Sequence, residues 1–203
     1  MTIKQHTLNV FKDPEKRIKF LTTTTMIYNF VWAVCKIVFG ALMSAYLFCI
    51  SGTYNILIGF AKKTFLSNRN RSVDKNTKSL VIGILILISG FVYAFYTASF
   101  FIWPKESDYG LILSIAIATC SFVELGLAIY NIMKAKQKKD ILLFSLRSCN
   151  LATAAYAMVL TQIALLSATG TENVSNFNAI TGIIAGTVAI AIASAVIIKS
   201  QEH

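Results

Sequence analysis

The chain consists of long apolar stretches separated by short polar and basic segments. The first stretch covers residues 20–61 and contains a single charged side chain, Lys36. Four more follow, at residues 80–103, 110–133, 141–168 and 179–198. A bilayer core about 30 Å thick takes roughly 20 apolar residues of helix to cross. The first stretch is long enough for two crossings, so the pattern predicts six in all.

Helices are the predicted form of these crossings. In hydrocarbon the backbone must satisfy its own hydrogen bonds, which leaves helices or a closed barrel, and continuous apolar stretches favour helices. The sequence therefore predicts an all-α polytopic membrane protein with a bundle of six transmembrane helices. Residues 1–19 are the N-terminal segment, 20–198 the membrane domain and 199–203 the tail. Small residues predict the first turn near Ser44, or as late as Ser51-Gly52.

Composition and charge placement agree with a lipid environment. The 203 residues are 56% hydrophobic and 14% charged, with a mean hydropathy of +0.64, whereas soluble domains have about 25% charged residues. The net charge is +10, and 17 of the 19 Lys and Arg residues fall on one side of the predicted membrane. Basic residues near membrane ends stay cytoplasmic. We therefore expect both termini in the cytoplasm, a location in the cell membrane, the lipid bilayer as partner, and no nucleic acid.

Two features mark the predicted membrane interface. A short interfacial helix is predicted from about Pro14 onward, because apolar and charged residues alternate there. Aromatic rings gather at head-group depth, and such rings crowd the outer end of the third span. They are Tyr93, Phe95, Tyr96, Phe100, Phe101 and Trp103.

The side chains of this sequence do not form a recognisable catalytic set. The only histidines, His6 and His203, lie in the predicted tails, so Ser–His and Cys–His arrangements lack a base. The four cysteines form no CxxC pair, and we expect them to be free apolar residues. They are Cys35, Cys49, Cys120 and Cys149. We predict that the protein is not an enzyme and has no catalytic residue, no cofactor and no bound metal.

Two charged residues fall within predicted spans, and charge in hydrocarbon is normally paired or lines a wet cavity. Lys36 lies in span one and Glu124 near the middle of span four. Helical side chains lean toward their own N-terminus, so these two lean toward a common depth, and we expect an intramembrane Lys36–Glu124 pair. A snorkelling Lys36 and a protonated, hydrogen-bonded Glu124 are the alternatives.

Uncharged polar residues and small residues also recur within the spans. The polar ones serve either helix–helix hydrogen bonds or a polar permeation path. They are Asn29, Asn55, Asn131, Asn150 and Gln162. In span six, Gly182 and Gly186 have GxxxG spacing, extended by Ala189 and Ala193. These small residues predict close packing within the bundle, with a homodimer contact or another membrane protein as the alternative.

Span one resembles the opening of the cation diffusion facilitator family, in which Asn, then Lys seven residues on, then Gly four further on is a frequent pattern. Here these are Asn29, Lys36 and Gly40. The starts of spans five and six, at residues 146–152 and 179–184, are similar to the family's as well. The resemblance covers residues 17–198 and implies a transporter scaffold of six helices with both termini cytoplasmic.

The family's metal chemistry does not carry over to these residues. The resemblance implies that the metal-binding positions of helices two and five fall on Tyr54, Ile58, Ala152 and Tyr156. None of these is a ligand for a divalent metal, and the family's cytoplasmic metal-binding domain does not follow residue 203 in this sequence. We therefore expect a transporter-like protein that moves a non-metal solute or is degenerate. A non-transporting structural or regulatory subunit of a membrane complex is the alternative.

Overall fold

The computed structural model describes residues 14–42, 46–67, 74–103, 110–133, 140–169 and 174–202. Helices make up 96% of these residues and the described ranges contain no strand, so the predicted all-α class is confirmed. We number the long helices in chain order. They are α1 Pro14–Leu42, α2 Tyr46–Leu66, α3 Lys75–Ala98, α4 Gly110–Met133, α5 Ile141–Thr169 and α6 Val174–Gln201, with a short 3₁₀ helix, Ser99–Phe101, after α3.

The long first apolar stretch divides into α1 and α2 between Leu42 and Tyr46. Ser44, one predicted turn position, lies outside the described residues. The later position, Ser51-Gly52, is wrong, because both residues lie inside α2. Gly52 serves close packing there instead: a Cβ at this position would lie 2.6 Å from Cγ1 of Ile37 and 2.9 Å from the Ala33 carbonyl oxygen on α1.

Within the described residues, four helices are long and apolar enough to cross a membrane, which fits a multi-pass membrane protein. They are Glu15–Leu42, Lys75–Phe101, Ile141–Leu166 and Val174–Gln201. Helix α1 begins at Pro14, where the sequence predicts a short interfacial helix, but it continues without a break to Leu42. The other two long helices, α2 and α4, have 21 and 24 residues. Thr53, Asn55 and Lys62 make α2 the more polar of these two.

The described part of the bundle has four helices at its centre, all of which contact α3 or belong to it, and two helices at its edges. Helices α2, α3, α5 and α6 form the centre: α3 packs on α2, α5 and α6, and α5 also contacts α2 and α6. Within the described residues α1 packs only on α2, and α4 only on α5. The most extensive contact is between α3 and α6.

Small residues explain the close contact of α3 with α6. Gly182 faces Thr97, and a Cβ at Gly186 would lie 2.6 Å from Cβ of Ala94. On the α3 side, a Cβ at Gly90 would lie 3.1 Å from the Gly186 carbonyl oxygen. Ala189 and Ala193 are also fully buried. The small residues of span six therefore pack inside the chain, as small residues commonly do where membrane helices approach each other.

The molecule has apolar side chains outside and many polar side chains inside. Phe95 and Ile112 are 82% and 87% exposed, whereas Lys36, Asn55, Lys62 and Ser89 are at most 4% exposed. In water such an exposed apolar surface would be unfavourable, since burial gains about 25 cal/mol per Å². In lipid the exposed apolar surface costs nothing, because the lipid tails are apolar too.

Basic helix ends meet at one end of the bundle. Lys75 at the start of α3 forms an ion pair of 3.2 Å with Asp140 at the start of α5. Lys78 donates to the Ser67 carbonyl oxygen, 2.6 Å away, after the end of α2. Lys199 near the end of α6 lies 4.4 Å from the centre of the Phe144 ring. At the opposite end Ser175 donates to the Phe100 carbonyl oxygen at 3.1 Å.

The Asp140 carboxylate caps helix α5. Its oxygen accepts a hydrogen bond from the Leu142 amide at 3.0 Å. Partial burial raises the pKa of Asp140, but the hydrogen bond and charge of Lys75 and the amides of Leu142 and Leu143 outweigh it, so the pKa lies below its usual value. The cap and the ion pair therefore both favour the charged carboxylate.

Candidate functional site

Three tyrosines meet at the centre of the described bundle, and we call them the tyrosine cluster. Tyr54 comes from α2, Tyr93 from α3 and Tyr156 from α5, and all three are fully buried. The ring centroids of Tyr156 lie 4.5 Å from Tyr54 and 4.6 Å from Tyr93. Tyr54 and Tyr93 pack edge to face at 5.9 Å. These distances are typical of favourable aromatic pairs, so the cluster fills the space where the three helices meet.

The direction of the hydrogen bond between Tyr156 and Ser89 is defined. The Ser89 hydroxyl donates to the Ile86 carbonyl oxygen at 2.7 Å. Since a serine hydroxyl has one hydrogen, the Tyr156 hydroxyl is the donor in its 3.1 Å contact with Ser89. This bond fixes the ring of Tyr156 against α3.

Lys36 brings a positive charge to the edge of the tyrosine cluster. It is 4% exposed, and its Nζ lies 5.5 Å from the centre of the Tyr54 ring and 5.6 Å from that of Trp32. Trp32 is one turn before Lys36 on α1, so the side chain leans toward the helix N-terminus, as predicted. An ammonium within about 6 Å of aromatic faces is stabilised by them.

Two buried asparagines contribute polar groups on α1 and α2. Asn55 is 1% exposed and Asn29 is 3% exposed. Within the described part of the chain, neither amide atom of Asn55 has a hydrogen-bond partner, nor has the amide nitrogen of Asn29. A buried polar group without a partner costs about 1–3 kcal/mol. Buried polar groups without a hydrogen-bond partner are rare in native structures, so the two asparagines need a structural or functional explanation.

A second buried lysine lies nearer the basic end of the bundle. Lys62, on α2, is 4% exposed. Lys62 follows Asn55 by seven residues, which is about two helical turns, so both lie on one face of α2. The sequence pattern places Lys62 only among the 17 basic residues on one side of the predicted membrane.

The structure separates the residues of the predicted polar path. Asn29 lies on α1 and Asn55 on α2, whereas Gln162 donates to the Thr181 hydroxyl at 2.8 Å, between α5 and α6. Gln162 therefore links two helices. Asn150, on α5, is partly exposed. The side chains of Asn131 and of Glu124 lie outside the described residues, so the Lys36–Glu124 pair stays a prediction.

The predicted aromatic belt is partly wrong. Phe95, Phe101 and Trp103 are exposed, as a belt requires, but Tyr93 and Phe100 are buried in the core. The spacing of seven residues from Tyr93 to Phe100 could have revealed this, because residues two turns apart share one helix face. Cys35, Cys49 and Cys149 are free thiols, and the side chain of Cys120 lies outside the described residues.

The four positions at which the family resemblance placed metal ligands all occur in one buried cluster. Tyr54, Ile58, Ala152 and Tyr156 are each fully buried and belong to the same hydrophobic core. The described residues contain no group of three or more His, Cys, Asp or Glu side chains that could hold a metal ion. Comparison with known proteins found no matching family model, no matching curated protein and no matching solved structure.

Proposed function

We propose that this protein is a six-helix integral membrane transporter, with both termini in the cytoplasm, that moves a non-metal solute. The observation that carries the proposal is the contact of Tyr54 with Tyr156. Their centroids lie 4.5 Å apart, at the positions where the resemblance to cation diffusion facilitators places a metal. The six long helices and the basic helix ends that meet at one side support the proposal, since the resemblance implies six helices with both termini cytoplasmic.

A divalent metal is a poor cargo for this centre. Oxygen, nitrogen and sulfur ligands of the usual kinds are missing from the four positions, where a phenol, an alkyl chain and a methyl group are found instead.

The polar interior favours transport over a purely structural role. A membrane protein that only packs against a partner gains nothing from a buried lysine and a buried Asn55 whose amide atoms have no hydrogen-bond partner among the described residues, since each carries a cost. The Gly/Ala surface of span six, which first suggested a partner protein, is covered by α3 within the chain. The subunit alternative therefore lacks the surface that motivated it.

Reconstituted liposomes test this proposal. The purified full chain should admit no Zn²⁺ or Mn²⁺ above the level of protein-free vesicles, and should admit at least one solute from a panel of radiolabelled anions, amines and neutral compounds. Metal uptake that is lost in Tyr156→Phe or Asn55→Leu would contradict the absence of a metal site. A stoichiometric partner captured in mild detergent, together with no uptake of any solute, would favour the subunit alternative.

A further inference from the structure

We propose that Arg147 on α5 and Lys199 on α6 bind an anionic phospholipid at the basic end of the bundle. The two cationic side chains hold the phosphate of the lipid headgroup, and the ring of Phe144 lies between them. We call these three residues the headgroup site. The site is independent of the transported solute, because it belongs to the outer side of α5 and α6 and shares no residue with the tyrosine cluster.

The Phe144 ring brings the two cationic side chains together. Lys199 Nζ lies 4.4 Å from the centre of this ring. Arg147 follows Phe144 by three residues on the same helix, so their Cβ atoms lie about 5–6 Å apart on one face of α5. Helical side chains lean toward their own N-terminus, so the guanidinium extends over the turn that carries Phe144. One cation from each helix therefore approaches the same ring.

Arg147 lies at a depth where a charged group normally has a partner. It comes six residues after the start of α5, about 9 Å along the helix axis, within the candidate membrane span Ile141–Leu166. Its side chain is partly buried, yet no hydrogen bond or ion pair joins its guanidinium to another described residue. A guanidinium offers five donors in a planar fork that fits two phosphate oxygens. A phosphate is therefore a suitable partner for this side chain.

The carboxylates nearest in sequence do not neutralise these two cations. Asp140, seven residues before Arg147, pairs instead with Lys75 at 3.2 Å and accepts a hydrogen bond from a helix amide. Glu202 follows Lys199 by three residues, but no ion pair joins them in the part of the chain that the structure describes. The positive charge of the headgroup site is therefore open to an anion from outside these residues.

The apolar surface beside the headgroup site favours a lipid over a free anion. Leu151, one turn after Arg147 on the same face of α5, is 38% exposed, and Met158, seven residues further on, is 59% exposed. On α6, Ile198 next to Lys199 is 56% exposed. An acyl chain can lie on this surface while the phosphate contacts the two cations. A headgroup with a net negative charge is favoured, because a zwitterionic headgroup already carries its own cation.

Native mass spectrometry of the purified full chain with added phosphatidylglycerol or phosphatidylcholine tests the proposal. The natural protein should bind phosphatidylglycerol about tenfold more tightly, and Arg147→Gln and Lys199→Gln should each remove about that factor, since each loses charge-assisted hydrogen bonds. Lys63→Gln is the matched control, because Lys63 is also exposed near a helix end and lies 6.0 Å from the Phe60 ring. It should change the affinity by less than about twofold, as isolated surface charges do. Arg147→Lys should bind with intermediate affinity, because it keeps the charge and loses the fork.

A second measurement uses the natural protein and does not depend on the folding of the variants. In neutral detergent, phosphatidylglycerol should raise the melting temperature, whereas phosphatidylcholine and inorganic phosphate should not. An equal rise with inorganic phosphate would assign the site to a free anion and overturn the lipid proposal. Equal binding of the two lipids overturns it as well, as do equal losses of affinity in Lys63→Gln and Arg147→Gln. None of these outcomes affects the proposed transport function.

Discussion

The ring centroids of Tyr54 and Tyr156 lie 4.5 Å apart where α2 meets α5. Within the described residues these two helices touch each other, and the two tyrosines lie in that contact. Tyr156 also reaches α3 through Ser89. One side chain thus connects three of the four central helices, which makes its removal informative.

We expect Tyr156→Phe and Tyr156→Ala to destabilise the bundle by different amounts. Tyr156→Phe loses one hydrogen bond and leaves Ser89 in place, which should cost about 1 kcal/mol of unfolding free energy. Tyr156→Ala also leaves a cavity and should cost about 3–5 kcal/mol. Melting temperature in a mild detergent measures both.

The control for the two Tyr156 variants is Phe95→Ala, because the Phe95 side chain is 82% exposed on the outer surface. It should change the melting temperature little, since it leaves no cavity within the protein. Equal losses in Phe95→Ala and Tyr156→Ala would show that the tyrosine cluster is not a packed core.

Glycine positions offer a sharper test of the α3–α6 contact. Gly182 faces Thr97 with no room for a methyl group, whereas a Cβ at Gly126 would meet nothing within 4 Å. Gly182→Ala should therefore destabilise by about 1–3 kcal/mol through overpacking. Gly126→Ala should be neutral or stabilise by up to about 1 kcal/mol, because alanine favours helix. Thermal melting of the two single variants against the natural protein checks both signs, and a stabilising Gly182→Ala would contradict the observed packing.

The ion pair at the basic end should make stability depend on pH in a defined direction. The pKa of Asp140 is below its usual value because the hydrogen bond and charge of Lys75 and the helix amides outweigh the effect of burial. Its contribution is therefore present above the unfolded pKa of about 3.9 and is lost as the pH falls through the lower folded value.

Asp140→Asn keeps the helix cap and removes the charge. At pH 7 it should be less stable than the natural protein by under about 1 kcal/mol, since both partners of the pair are partly exposed. That difference should shrink as the pH is lowered below 4. Asp74→Asn is the matched control, because Asp74 precedes α3 but makes no capping hydrogen bond with its side chain. A difference that grows toward acid pH would contradict the assigned sign.

The length of the apolar stretches predicts the helices of this protein well because lipid imposes a simple rule on backbone hydrogen bonds. Apolar length predicts that the first stretch divides in two, and small residues reduce the turn to a choice of two positions. It does not decide between them, because Gly52 can serve a turn or a close helix contact. The choice depends on Ala33 and Ile37 of a different helix.

The candidate site is harder to predict because it depends on which helix faces meet. Lys62 and Lys63 are adjacent in sequence, yet one is buried and the other exposed. Tyr93 was assigned to the interface, although it lies in the core. Lys36, by contrast, was recognisable from sequence, since a lone charge within an apolar span has few structural uses.

The Lys36–Glu124 pair is testable by a double-mutant cycle. Lys36→Met and Glu124→Gln should each destabilise the protein in detergent, and the double variant should lose less than the sum, with a coupling of about 0.5–3 kcal/mol. The reason is that removal of one member leaves the other charge buried. Lys63→Met combined with Glu124→Gln is the control, since Lys63 is exposed and should couple by less than about 0.5 kcal/mol. Strictly additive losses for Lys36 and Glu124 would show that the two side chains do not meet, and the carboxylate would then need a different partner.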